Sequence, residues 1–132
     1  LDRSSAASDV YKRQATSALL ALIEQSGLAV ATLAEGLEEA DLRRSRLTRA
    51  EVLRHLRVLA RSAISVTPSA REEMPELDWD GWRRLSLQLQ ADTGDDVEEA
   101  LWFAVSSLVP ATLLWLRVYR QAQPKLFVMS PD

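Results

Sequence analysis

The chain has 132 residues, with 16 Lys and Arg against 19 Asp and Glu, for a net charge of −3. That length fits one domain with a real core. The charge excludes a generally basic nucleic-acid binder but leaves room for a local basic patch. With no Cys and one His, disulfides, thiolate chemistry and the usual soft zinc sites are excluded, and no cofactor or metal is expected.

Four Gly and five Pro leave little material for a turn-rich β fold, and abundant Ala, Leu, Arg and Glu favour helix. The first segment, LDRSSAASDVYKRQ (1–14), has no apolar periodicity and no signal-peptide core. It resembles the translation of a sequencing adapter. It is expected as a disordered, non-native leader, the other reading being an ordinary polar tail. A helical domain over 15–123 and a C-terminal tail over 124–132 follow.

Leu19, Leu20, Ile23, Leu28, Val30, Leu33 and Leu37 predict a long helix from about Ala15, weakened at Gly27 and ended near Gly36. A short helical turn is expected over Glu38–Arg44. Thr48 and Glu51 form a capping box that predicts the start of the next helix. Val52, Leu56, Leu59 and Ala63 are its apolar stripe. Thr67 and Pro68 mark a boundary, with Pro68 at the first position of a short helix to Met74. Asp78 caps a helix from Trp79 to about Gln90. A loop over 92–96 then leads to the last helix, Val97 to about Gln121, with a kink expected at Pro110. The only candidate strand is the short apolar tail Leu126–Met129. These elements predict an all-α, compact up-down bundle of four to six helices.

From Ala100 to Leu116 the last helix carries no charge. Seventeen residues is the lower limit for a membrane span, and Ser106, Ser107, Pro110 and Thr112 dilute it. A bundle-core or dimer-interface helix is the favoured reading, so no membrane association and a cytoplasmic location are expected.

Candidate chemistry is sparse. Glu72–Glu73, Asp95–Asp96 and Glu98–Glu99 are sequence neighbours. Adjacent helical residues point about 100° apart, so none of these makes a carboxylate dyad. The charge layout says more. Arg43, Arg44, Arg46, Arg49, Arg54, Arg57 and Arg61 lie close together, with Glu51 the only acid after Asp41. Arg54, Arg57 and Arg61 share one face of their helix. Guanidinium groups grip phosphates, so these three are candidates for binding nucleic acid or a partner. The competing reading pairs them with the acidic segments 72–80 and 92–99. His55 reads as a surface side chain beside Glu51.

Pro75-Glu76-Leu77-Asp78-Trp79 resembles the Pro-Glu-Ile-Pro-Trp that opens the active-site helix of HepT-like proteins in the HEPN superfamily. Trp102 and Pro110 are similar to the Trp and Pro of that family's last helix, and Val52–Ala63 resembles its Val-Leu-Arg-Arg-Leu-Glu-Ile-Ile-Gly-Glu-Ala-Ala segment. The resemblance covers roughly residues 19–116. It implies a HEPN-like bundle, a homodimer with a groove between protomers, and ribonuclease toxins that act beside a nucleotidyltransferase antitoxin. The departures are all functional. The family's catalytic Arg, Asn and His positions hold Ser86, Leu87 and Ala91, its modified Tyr is Thr93, and an acidic position is Arg61. Cutting RNA at a 2′-hydroxyl needs a proton shuttle and a cation for the phosphorane, and Ser, Leu and Ala supply neither. The expectation is therefore a non-catalytic member that binds protein, and RNA or nucleotide through Arg54, Arg57 and Arg61. The alternatives are a ribonuclease with relocated residues, drawing on His55, and a purely structural bundle.

Overall fold

The computed structural model describes residues 2–90 and 94–128, the first five of them as backbone only. Seven α-helices follow in chain order: α1 (Asp2–Ala34), α2 (Glu39–Arg44), α3 (Arg46–Ser65), α4 (Pro68–Glu73), α5 (Trp79–Gln88), α6 (Asp95–Phe103) and α7 (Val109–Ala122). A π turn (Ala104–Leu108) joins α6 to α7, so the two form one rod, and a 3-10 turn (Pro124–Phe127) follows. Among the described residues there is no strand. The tail expected as extended is the 3-10 turn through Phe127, and Met129 lies outside the described residues.

The chain is an all-α bundle. α1 lies along α3, α7 packs on α1, and α5 on α3; α2 bridges α3 and α6. The predicted stripe of α3 is its buried side: Val52, Leu56 and Leu59 are fully buried and Ala63 almost so. Each of the larger side chains contributes roughly 1.5–3 kcal/mol by leaving water. They meet Leu20, Ile23 and Val30 of α1, Trp82 and Leu85 of α5, and Leu101, Leu108 and Leu116 of the last rod in one core.

Several boundaries follow the predicted chemistry. Gly36 has φ +76°, the left-handed conformation that ends a helix at low cost in a residue without Cβ. The Thr67 hydroxyl accepts from the Ala70 amide at 3.3 Å, with Pro68 at the start of α4. The Asp78 carboxylate accepts from the Gly81 amide at 2.8 Å and caps α5.

Other boundaries differ. α1 begins at Asp2, so residues expected as a disordered leader continue the first helix, and Lys12 and Arg13 come alongside Ser69 and Glu73. The buried Thr16 and Ser17, with the Ser17 hydroxyl donating to the Gln14 carbonyl at 2.9 Å, tie that junction together. α3 starts at Arg46, because Ser45 rather than Thr48 is the cap: its hydroxyl accepts from the Thr48 amide at 3.3 Å. α6 begins at Asp95, two residues before the predicted start, after Gly94 at φ +125°. The acids Asp95, Asp96 and Glu98 then fall in its first turn, where the helix dipole favours negative charge. Asp92 and Thr93, the start of the predicted loop, lie outside the described residues.

Two features, one on α1 and one on the rod, depart from simple helix rules. Gly27 of α1 was expected only to weaken its helix. It is instead a close-approach point: a Cβ there would sit 2.9 Å from Cδ2 of Leu113 on α7. Pro110 lacks an amide proton and crowds the carbonyl four residues back. The irregularity falls on the turn before it, which widens so that the Val109 amide bonds the Ala104 carbonyl. Such insertions of about one residue turn the helix surface relative to an ideal helix.

Candidate nucleic-acid interface

The seven clustered arginines do not form one free patch. Arg43 spans from Glu39 to Glu98, 3.7 Å from each, and links α2 to α6. Arg44 meets Asp41 at 2.7 Å. The Asp41 carboxyl is held below its ordinary range, first by the Glu38 amide and then by Arg44. Arg49 donates to the Arg43 carbonyl. So the reading that pairs arginines with the acidic segments holds at Arg43, while Arg44, Arg49 and Arg54 find partners close in sequence.

The three candidates separate as well. Arg54 is exposed and sits against Glu51 at 2.9 Å, which lowers the Glu51 carboxyl's pKa and raises the guanidinium's. His55 lies beside the same carboxylate, 3.9 Å away, as expected of a surface side chain. Arg57 is half-buried. Its Nε and Nη2 donate to the Leu89 carbonyl at 3.2 and 2.8 Å, satisfying an orphan acceptor at the C-terminus of α5. Arg61, one turn on, is exposed; its carbonyl accepts from the Ser65 hydroxyl at 2.9 Å, and its guanidinium makes no ion pair or hydrogen bond among the described residues.

Arg57 and Arg61 line a surface groove of about 420 Å³ between α3 and α5. Ser65, Ser86 and Gln90 add polar groups to it, and Ile64, Ala60 and Leu89 add apolar ones. Ser86 is the position that the family resemblance gives to the catalytic Arg. The fold thus brings two cations from α3 into the same groove as Ser86. Arg54 lies outside this groove, so the predicted trio is reduced to a pair. Leu87 is 64% exposed and opens into a different groove, beside Phe103. Ala91 and Thr93 lie outside the described residues. Sequence reasoning missed Ser65 and Gln90; only the packing of α5 across α3 brings them to the arginines.

Glu76 and Trp79 of the resemblance, with Trp82 beside them, are structural ties. Trp82 is buried and its Nε1 donates to the Thr112 hydroxyl at 2.9 Å; that hydroxyl donates in turn to the Leu108 carbonyl at 2.7 Å. The Trp79 Nε1 donates to the Met74 carbonyl at 2.9 Å. The Tyr119 hydroxyl accepts from the Glu76 amide at 3.3 Å. The bonds to Thr112 and Tyr119 fix the Glu76–Trp82 segment onto α7.

Among the described residues no three His, Asp or Glu side chains come together to hold a metal ion. Helical stretches Ala7–Ala34 and Asp95–Ala122 have the length and mean hydropathy of a membrane span, and a third of each apolar window is buried in the bundle.

The fold and groove define an all-α bundle with an arginine-lined surface recess. No protein-family model matches the chain, and no curated protein or solved structure is significantly similar to it.

Proposed function

We propose that this chain is a non-catalytic, HepT-like binding protein whose α3–α5 groove holds phosphate groups of RNA or a nucleotide. The observation that carries the reading is the pairing of Arg57 and Arg61 with Ser86 in one groove. Two guanidiniums with hydroxyl and amide donors suit a phosphodiester. Among the described residues no His, Asp or Glu lines the groove: His55 lies beside Glu51, on a different face of α3. Binding without turnover is what such a donor set supports. A nucleotidyltransferase-type protein partner and a cytoplasmic setting belong to the same reading and rest on the family resemblance.

Fluorescence anisotropy with a labelled single-stranded RNA tests it. Affinity is expected to fall steeply with salt, and Arg61→Ala is expected to shrink the salt slope by roughly 0.7, one phosphate contact on a single strand. Absence of binding at low salt contradicts the reading and favours a purely structural bundle. RNA cleavage abolished by His55→Ala contradicts it in the other direction.

A further inference from the structure

We propose that the groove between α5 and α6 is a docking site for a basic amphipathic helix of a partner protein, one that carries two Lys or Arg four residues apart and a large apolar residue a turn further on. The groove has a volume of about 970 Å³. The end of α5 separates it from the arginine-lined groove, and Gln90 edges both. Leu87 and Phe103 stand on its walls, 64% and 49% exposed, above the buried Val97 and Ala100.

Charge selects the occupant. Asp95, Asp96 and Glu99 line the groove against one cation, Arg84, and none of these four side chains forms an ion pair among the described residues. The helix dipole accounts for Asp95 and Asp96 in the first turn of α6. It does not account for Glu99, which lies beyond that turn, whereas the neighbouring Glu98 meets Arg43 at 3.7 Å. The groove therefore carries unanswered negative charge beside two exposed apolar side chains. A helix with a cationic and an apolar edge satisfies both.

Spacing selects the pattern. Asp95, Glu99 and Phe103 follow at four-residue intervals, so they form one row along α6 in steps of roughly 6 Å. A facing helix presents its own row at the same step. Two cations four residues apart on it stand over Asp95 and Glu99, and the apolar residue four further on enters between Phe103 and Leu87. A second copy of this chain does not supply that pattern. Of its 16 Lys and Arg only Arg57 and Arg61 are four residues apart. Both line the other groove, where Arg57 holds the Leu89 carbonyl. The occupant is thus a different, basic protein.

The inference does not depend on RNA binding, and the two separate in one experiment. The probe is a fluorescein-labelled synthetic peptide of about 16 residues, long enough to hold a helix in part. It is Ala-rich, with Lys at two positions four apart and Leu four further on. Anisotropy with the full chain at low salt is expected to give a dissociation constant on the order of 10 µM, and a scrambled peptide of the same composition to bind about tenfold more weakly. Glu99→Lys and Phe103→Ala are each expected to weaken binding about tenfold with unchanged helical circular dichroism. A peptide with Glu in place of the second Lys is expected to prefer Glu99→Lys over the unsubstituted chain. Arg61→Ala is expected to leave peptide binding unchanged. Loss of RNA binding with peptide binding intact sinks the reading above and spares this one. No peptide binding at concentrations on the order of 500 µM, equal affinity for the scrambled peptide, or affinity indifferent to Glu99→Lys overturns the proposal. So does a dimer in sedimentation equilibrium, at twice the 14.8 kDa chain mass, that Glu99→Lys or Phe103→Ala dissociates, because a second copy then covers the groove.

Discussion

The segment Pro75–Leu85 and the stretch just after it, Ser86–Gln90, meet within α5 and behave differently. In the first, nearly every landmark is tied down: Trp79 to Met74, Trp82 to Thr112, Glu76 to Tyr119, and Asp78 to the Gly81 amide. In the second, Ser86 and Gln90 edge an open groove and Leu87 projects outward. The contrast teaches that Glu76, Asp78 and Trp79 at family-like spacing can be held by local hydrogen bonds, whatever stands at Ser86 and Leu87. A resemblance carried by such landmarks speaks for a scaffold before it speaks for an activity.

The contrast can be broken by substitution. Trp82→Ala removes a fully buried ring and the Thr112 partner, and is expected to cost about 3–5 kcal/mol in chemical denaturation. Ser86→Ala, four residues on, is expected to stay within about 0.5 kcal/mol. Equal effects would erase the distinction between the two stretches. Asp78→Ala removes the cap of α5 and is expected to cost about 1 kcal/mol. Gly81→Ala is expected to cost a similar amount, because a Cβ there collides with the capping Asp78 carboxylate.

The smallest expected effect is in acid. Asp41 and Glu51 have lowered pKa values in the folded chain. Their contribution is therefore present above the ordinary carboxylate range and is lost as pH falls through the depressed values. Both are solvent-screened, so Glu51→Gln is expected to flatten the acid limb of stability only slightly, measured by thermal melts between about pH 3 and 6. A large change would mean that these pairs do more than decorate the surface of α2 and α3.

Much of the fold was legible because local chemistry and burial agree. The α3 stripe, the Thr67–Pro68 start and the Asp78 cap need only nearby residues. The misses have long-range or competing causes. Ser45 outcompetes Thr48 because it stands one position before the helix and reaches the Thr48 amide. Gly27 reads as a helix weakener until α7 crosses it. At Pro110 the sequence signals an irregularity, but not that it falls on the turn before the proline as a π turn.

The candidate site was half legible. A basic helix face was evident, but which of its arginines are engaged depends on Glu51 and on the Leu89 carbonyl. The second of these is 32 residues from Arg57. Ser65 and Gln90 carry no signal until α5 is laid across α3.

The most direct test of a scaffold that binds without cutting follows one end-labelled RNA through two readouts on the same sample: anisotropy at low and high salt, then a denaturing gel. The account predicts salt-sensitive binding weakened by Arg61→Ala, with the RNA recovered at full length. Shortened RNA whose appearance depends on a residue of this chain would contradict it.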